Sequence, residues 1–245
     1  MRENVDGTTA RARRKLAPKL AARDSASASV SERIYVELKA AIVAGTLPPG
    51  AAIDKNDIRG RFHASLSPVT AAISRLGYEK LVVIEPQRGS FVAPIVFDDI
   101  LQFMGLRRAL EVEAVCETTK NPPPDLGQLL ARNLAYQEAA RGVADLTRFY
   151  ELDVEFHRVI IEASGLWKFN MVLDEIRAHL DRVRLLMLPV RGRMAGTLDE
   201  HRAIAAAIAS RSVAKAEDAM RKHLERVDQE FRSFAAQNPK LVRKG

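Results

Sequence analysis

Residues 31–92 carry, in order, the signals of three short helices and then a two-stranded hairpin, and few folds accept that order in so short a span. Ser31 is a suitable N-cap for a helix whose apolar positions Ile34, Leu38, Ala41 and Ile42 follow helical spacing, and Gly45 with Pro48-Pro49-Gly50 ends it. Asp54 caps a second helix running through Ile58 to Phe62, and Ser67-Pro68 sets an N-cap and an N1 proline ahead of Val69, Ala72, Ile73 and Leu76. The β-branched run Leu81-Val82-Val83-Ile84, a turn over Glu85-Pro86-Gln87-Arg88-Gly89, and Ser90-Phe91-Val92 then read as a hairpin. Three helices and a hairpin within about 65 residues is the order of a winged helix-turn-helix. In that fold the third helix enters the major groove and the hairpin lies along the backbone or minor groove.

From Asp98 onward strand-like alternation stops. Six amphipathic helices are predicted near 98–119, 125–141, 145–164, 168–188, 197–210 and 212–235, broken by Pro122-Pro123-Pro124, Gly142, Gly165 and the stretch from Pro189 to Gly196. Thr197 with Glu200 three positions later has the form of a capping box. The expected fold is therefore mainly α. It comprises a flexible basic arm over 1–29, a winged helix-turn-helix over 30–95, an all-α helical bundle over 96–236 and a tail over 237–245.

The formal charge of +7 suggests a polyanionic partner, and its distribution says more than its total. Residues 1–29 carry seven Lys/Arg against three acids, residues 30–95 eight against six, and the remainder 23 against 22. The excess falls at the N-terminal end, beside the expected DNA-binding fold. The lone Cys116 rules out a disulfide framework and a cysteine-rich zinc module, and its apolar helical surroundings read as packing. No stretch reaches the roughly 18 apolar residues of a membrane span, and no secretory leader is evident, so a cytoplasmic location without a membrane partner is expected.

The segments Ile34-Tyr35-Val36-Glu37-Leu38-Lys39, Gly45-Thr46-Leu47-Pro48-Pro49-Gly50, Ser65-Leu66-Ser67-Pro68-Val69 and Pro86-Gln87-Arg88-Gly89-Ser90-Phe91-Val92 resemble the GntR winged helix. Leu106 to Glu111, Asp153 to His157, Glu200-His201 and Arg221 to Leu224 resemble the ligand-binding (FCD) domain of its FadR-like branch. The resemblance implies a regulator, usually a repressor, on double-stranded operator DNA, and a homodimer is expected because helix-turn-helix proteins commonly read two half-sites. Many members have arginine where this chain has Leu66 and Thr70, and glutamate where it has Ala71. Bidentate arginine is the commonest reader of guanine, so the operator is expected to differ from the family's usual one. The candidate DNA contacts are Lys55 and Asn56 at the start of the second helix, Ser65, Ser67, Thr70 and Arg75 on the third, and Gln87, Arg88 and Gly89 at the wing tip. Val69 and the Thr70 methyl are candidates to meet thymine methyls, and simple capping is an equal explanation for the serines.

Among the five histidines, three form a pattern with one carboxylate. Asp153 and His157 lie four apart and share a helix face, while His201 and His223 fall on the last two helices, which an antiparallel turn can bring together. One carboxylate and three imidazoles suit Zn²⁺, Ni²⁺, Co²⁺ or Mn²⁺. Spacing alone leaves a salt bridge or a structural role open. The resemblance implies more, because Asp153, His157, His201 and His223 match the metal-binding positions of the FadR-like branch. Four protein ligands on a metal that takes five or six leave positions for a small organic acid effector. The resemblance puts Arg107 in the same cavity as a second cation, with Arg182 and Arg184 as further candidates. His63 and His179 read as structural or surface residues. A metal-dependent enzyme and an architectural DNA-binding protein are the competing functions. The first lacks a general base and has no need of residues 32–93, and the second has no need of a polar cluster inside a bundle.

Overall fold

The computed structural model describes residues 28–187 and 192–244. The arm expected over 1–29 lies, up to residue 27, outside them. The first helix, α1 (Val30–Val43), is capped by Ser29 rather than Ser31, with the Ser29 hydroxyl accepting from the Glu32 amide at 3.2 Å. Asp54 caps α2 (Lys55–Phe62) as expected, accepting from the Asn56 amide at 2.7 Å, and His63 ends it at φ 49°. The third helix, α3 (Leu66–Tyr78), begins two residues before the expected start, after Ser65. Pro68 fits the first turn because amides there have no intrahelical acceptor to lose. Val69, Ala72, Ile73 and Leu76 form its buried stripe and pack with α1.

The hairpin pairs β1 (Val82–Glu85) with β2 (Gly89–Val92) antiparallel, Val82 opposite Val92 and Glu85 opposite Gly89. Gly89 takes φ 123°, a backbone conformation that a side chain would strain, which is why the turn ends on glycine. A second, parallel ladder was not foreseen. It joins β3 (Ile95–Val96) to β4 (Val242–Arg243), so the stretch expected as a tail contributes a strand. The chain divides into two compact units, one running to Val96 and taking in the chain from Lys240, the other Phe97–Pro239.

The second unit is built from α4 (Phe97–Lys120), α5 (Leu126–Gly142), α6 (Leu146–Ala163), α7 (Trp167–Met187), α8 (Arg193–Ala209) and α9 (Val213–Gln237). Its core gathers Val115, Leu126, Phe156, Ile160, Ile204, Met220 and Leu224 from five of these helices. The capping box at Thr197 does not form. Helix α8 starts after Gly192, at φ 83°, and the Thr197 hydroxyl donates to the Arg193 carbonyl at 3.1 Å from inside the helix. Cys116 is half-buried against the core, and burial pushes its thiol pKa up. No helix of the described residues is long and apolar enough to cross a membrane.

Candidate functional site

Helix α6 buries Phe149, Leu152, Phe156 and Ile160 along one stripe, and Asp153 and His157 sit in the same stripe. The stripe forces both polar side chains into the bundle. There His157 meets His201 from α8 and His223 from α9. The three imidazoles are at most 5% exposed, their ring centroids lie 4.9–5.1 Å apart, and one nitrogen of each lies within 4.8 Å of the others. Phe156 stacks flat on His201 at 4.2 Å and fixes the plane of that ring.

Each imidazole has an oxygen at its Nδ1. Glu111 Oε2 lies 2.7 Å from His157 Nδ1, Gln137 Oε1 3.0 Å from His201 Nδ1, and Glu200 Oε2 2.7 Å from His223 Nδ1. Each Nε2 is buried without a hydrogen-bond partner among the described residues, and so is His157 Nδ1, whose approach to Glu111 is an ion-pair contact. Three buried lone pairs converging on one point are costly unless something accepts them, and a cation does. Ligating histidines elsewhere commonly give their second N–H to a carboxylate or carbonyl, as Nδ1 of His201 and of His223 is placed to do here.

Asp153 stands at the edge of this group. Its Oδ1 is 3.7 Å from His201 Nε2, while Oδ2 pairs with Arg184. Burial pushes the Asp153 carboxyl up, but Arg184, His157 and His201 outweigh it and hold the group well below the usual carboxylate range. Burial acts the other way on the rings. It pushes His201 and His223 well below the ordinary imidazole value, reinforced by His223 on His201 and by His157 on His223. Both rings are therefore neutral, as metal ligation requires.

A cavity of about 30 Å³, room for a water, opens beside His157 and is lined by Arg107, Glu111, Asp181 and Arg184 among others. Two of the three candidate arginines are here, and both are engaged. Arg107 Nε donates to Glu111 Oε1 at 2.7 Å, and Arg184 holds Asp153. Arg182 is buried on the same helix as Arg184 but outside this lining, and burial pushes it down to about 10. Glu111, Gln137 and Glu200 were not foreseen as partners of the histidines.

In the first unit the expected DNA contacts fall on an exposed surface, with corrections. Ser65, Ser67, Thr70, Gln87, Arg88 and Gly89 are exposed, Asn56 is exposed and Lys55 half-buried. The Ser65 side chain makes no capping hydrogen bond, which leaves its hydroxyl available at the N-terminus of α3. Val69 is fully buried and cannot reach a base, whereas Leu66 is 51% exposed. Arg75 is exposed as well, its side chain half open, and it lies 3.6 Å over the Tyr35 ring and 2.6 Å from Glu32. Arg88 projects from the wing with its side chain 76% exposed, paired with Glu85 at 2.7 Å.

A winged helix on one chain with a helical bundle around a buried histidine cluster is the organisation of a one-component transcription regulator. Residues 30–92 match the model of the bacterial regulatory proteins of the gntR family and residues 102–226 that of the FCD domain, and the chain belongs to that family. It is 30% identical over 208 residues, 85% of this chain and 87% of the relative, to an uncharacterised HTH-type transcriptional regulator in an unstable DNA locus of Streptomyces ambofaciens. It is 27% identical over 209 residues, 85% of this chain and 92% of the relative, to the HTH-type transcriptional repressor RspR of Escherichia coli K12. A crystal structure of a GntR regulator from Rhodococcus sp. RHA1 shares the fold, with a TM-score of 0.71 at 24% identity over 84% of this chain and 99% of that one. The chain is a DNA-binding transcriptional regulator and not an enzyme.

Proposed function

We propose that this regulator is a homodimeric repressor that carries a divalent transition metal in its FCD domain and leaves its operator when a small organic acid binds there, as in the FadR-like branch. The observation that carries the metal reading is the buried cluster of His157, His201 and His223, one nitrogen of each within 4.8 Å of the others and every Nε2 without a hydrogen-bond partner. These residues, with Asp153 Oδ1 at their edge, would hold the ion, and the donor set suits Zn²⁺, Ni²⁺, Co²⁺ or Mn²⁺. Bound there, the ion supplies a positive centre with positions left for carboxylate oxygens.

The effector reading rests on what surrounds that point. Arg107 and Arg184 line the adjoining cavity, and both are held by carboxylates, Glu111 and Asp153. An incoming acid competes for the same guanidiniums, so its binding rearranges the Arg107–Glu111 pair within α4 and the Arg184–Asp153 pair that ties α7 to α6. A shift of that kind gives the ligand a differential affinity for two conformations, which any change in operator affinity requires. A cavity with room for a water must widen to admit such an acid. On the DNA side, the half-buried Lys55 and the exposed Asn56, Ser65, Ser67, Thr70, Gln87, Arg88 and Gly89 supply the contacts.

Two measurements test this together. Elemental analysis of the purified protein is expected to show one metal per chain, lost in His157→Ala with His223→Ala while DNA binding is kept. A thermal-shift screen of sugar acids, hydroxy acids and dicarboxylates on the metal-replete protein is expected to find one acid that also releases the operator. A protein that retains no metal after reconstitution, or an operator complex that no stabilising acid weakens, overturns the corresponding half.

A further inference from the structure

His201 differs from the other two histidines in what its Nδ1 faces. Glu111 and Glu200 are carboxylates, which when ionised only accept, whereas Gln137 is an amide and can turn either an oxygen or an NH₂ toward the ring. What decides its orientation lies two hydrogen bonds away. Gln137 Nε2 donates to Asn133 Oδ1 at 2.7 Å, and Asn133 Nδ2 donates to the Leu152 carbonyl at 3.0 Å. Gln137 and His201 are 0% exposed and Asn133 is 5% exposed, so water does not substitute for any link.

The direction of this relay follows from its far end. A carbonyl oxygen has no proton to give, so the Asn133 amide nitrogen must face Leu152. That turns the Asn133 oxygen toward Gln137, where only the Gln137 NH₂ can meet it. The Gln137 oxygen is left for His201, and an oxygen there requires a proton on Nδ1 and a bare lone pair on Nε2. Reversing any link would set oxygen against oxygen in a dry interior and forfeit buried hydrogen bonds. The assignment therefore does not depend on telling amide oxygen from nitrogen by position.

We propose that Asn133 and Gln137 are positioning residues that hold His201 in its Nδ1-protonated tautomer and so keep Nε2 as a ligand for the cation. The inference rests on the metal reading above, and it extends the site to a residue, Asn133, that acts on His201 only through Gln137. The two amides stand four apart on α5, one turn of helix, while the anchoring carbonyl belongs to α6, the helix of Asp153 and His157. The relay thus ties three helices at the cluster by bonds with a fixed sense.

The test uses the full chain stripped of metal, with ¹⁵N-labelled histidine, and reads the His201 ring by long-range ¹H–¹⁵N correlation. Zn²⁺ affinity is measured separately by chelator competition. In the wild type His201 is expected to be protonated on Nδ1. Gln137→Leu and Asn133→Leu are expected to admit the Nε2-protonated form and to weaken Zn²⁺ binding about 10–100-fold, the usual cost of losing a residue that orients a metal ligand. Gln137→Glu keeps an acceptor at Nδ1, so it is expected to retain tautomer and affinity even where it lowers the melting temperature. Melting temperature alone does not discriminate, because a purely structural amide would lower it too. A wild-type His201 protonated on Nε2 overturns the proposal, as does an unchanged tautomer and affinity in both leucine variants. A wild type that binds no Zn²⁺ but shows the expected tautomers sinks the metal reading and leaves the orienting relay standing.

Discussion

Glu111→Leu removes a buried carboxylate that faces two partners inside the bundle. Glu111 faces Arg107 at 2.7 Å and His157 at 2.7 Å, and the Arg107 and Glu111 side chains are 9% and 5% exposed. At that depth the discount that makes surface pairs worth little does not apply. Removing one partner strands the other's charge in a dry site, at a cost of about 3–5 kcal/mol. With a urea slope of roughly 2 kcal/mol per molar, the midpoint of the metal-free protein at neutral pH is expected to fall by about 1.5–2.5 M, followed by far-UV circular dichroism. Arg107→Met combined with Glu111→Leu removes both charges and both desolvation costs, and is expected to recover most of the loss. Burial raises the Glu111 carboxyl pKa, but Arg107 and His157 outweigh it and hold the carboxyl well below its ordinary 4.5. Its contribution is therefore complete above that value and lost as pH falls toward the folded pKa, so the gap between wild type and Glu111→Leu narrows in acid. A single-variant loss under about 1 kcal/mol, or a double variant no more stable than the single, would refute the reasoning.

Three further outcomes are expected. Burial holds His201 and His223 well below the ordinary imidazole value of 6.5, so the unfolded chain takes up those protons first. The metal-free protein should then lose stability as pH falls through 6.5 and on toward the folded values, and a urea midpoint that does not move over that range contradicts the assignment. Arg88→Ala should weaken operator binding and lower the steepness of its salt dependence by about one phosphate contact; an unchanged slope would leave Arg88 as a wing-tip ion pair with Glu85. Leu66, Thr70 and Ala71 present mainly methyl groups on the exposed face of α3. In an operator selected from random DNA, uracil in place of a contacted thymine should therefore cost about 0.8 kcal/mol, roughly fourfold in affinity. Selection of guanines whose loss outweighs every thymine would point to a different reader.

The winged helix was legible because its signals are local. Caps, turn glycines and a β-branched run each act over a few residues, and the errors were equally local: Ser29 for Ser31 and Ser65 for Ser67, where serines two apart are equally able to cap. Thr197 misled for a related reason, since the left-handed Gly192 starts α8 and leaves the threonine to bond its own helix. The β3–β4 ladder had no local signal, because two-residue strands show no alternation and the partner strands are separated in sequence by the whole helical bundle.

The histidines were legible as residue types, but their partners were not foreseen. A sharper signal was present. Leu126, Leu130, Asn133, Gln137 and Ala140 keep the three-and-four spacing of the buried face of α5, so both amides occupy positions that periodicity reserves for the core. Asp153 and His157 do the same between Leu152 and Ile160, and His223 between Met220 and Val227. A polar side chain in an apolar stripe must find a partner inside the protein or destabilise the fold. Several such positions on different helices of one bundle must find one another. That rule would have drawn Asn133 and Gln137 toward the same interior as the histidines, although which atom meets which depends on packing that no periodicity encodes.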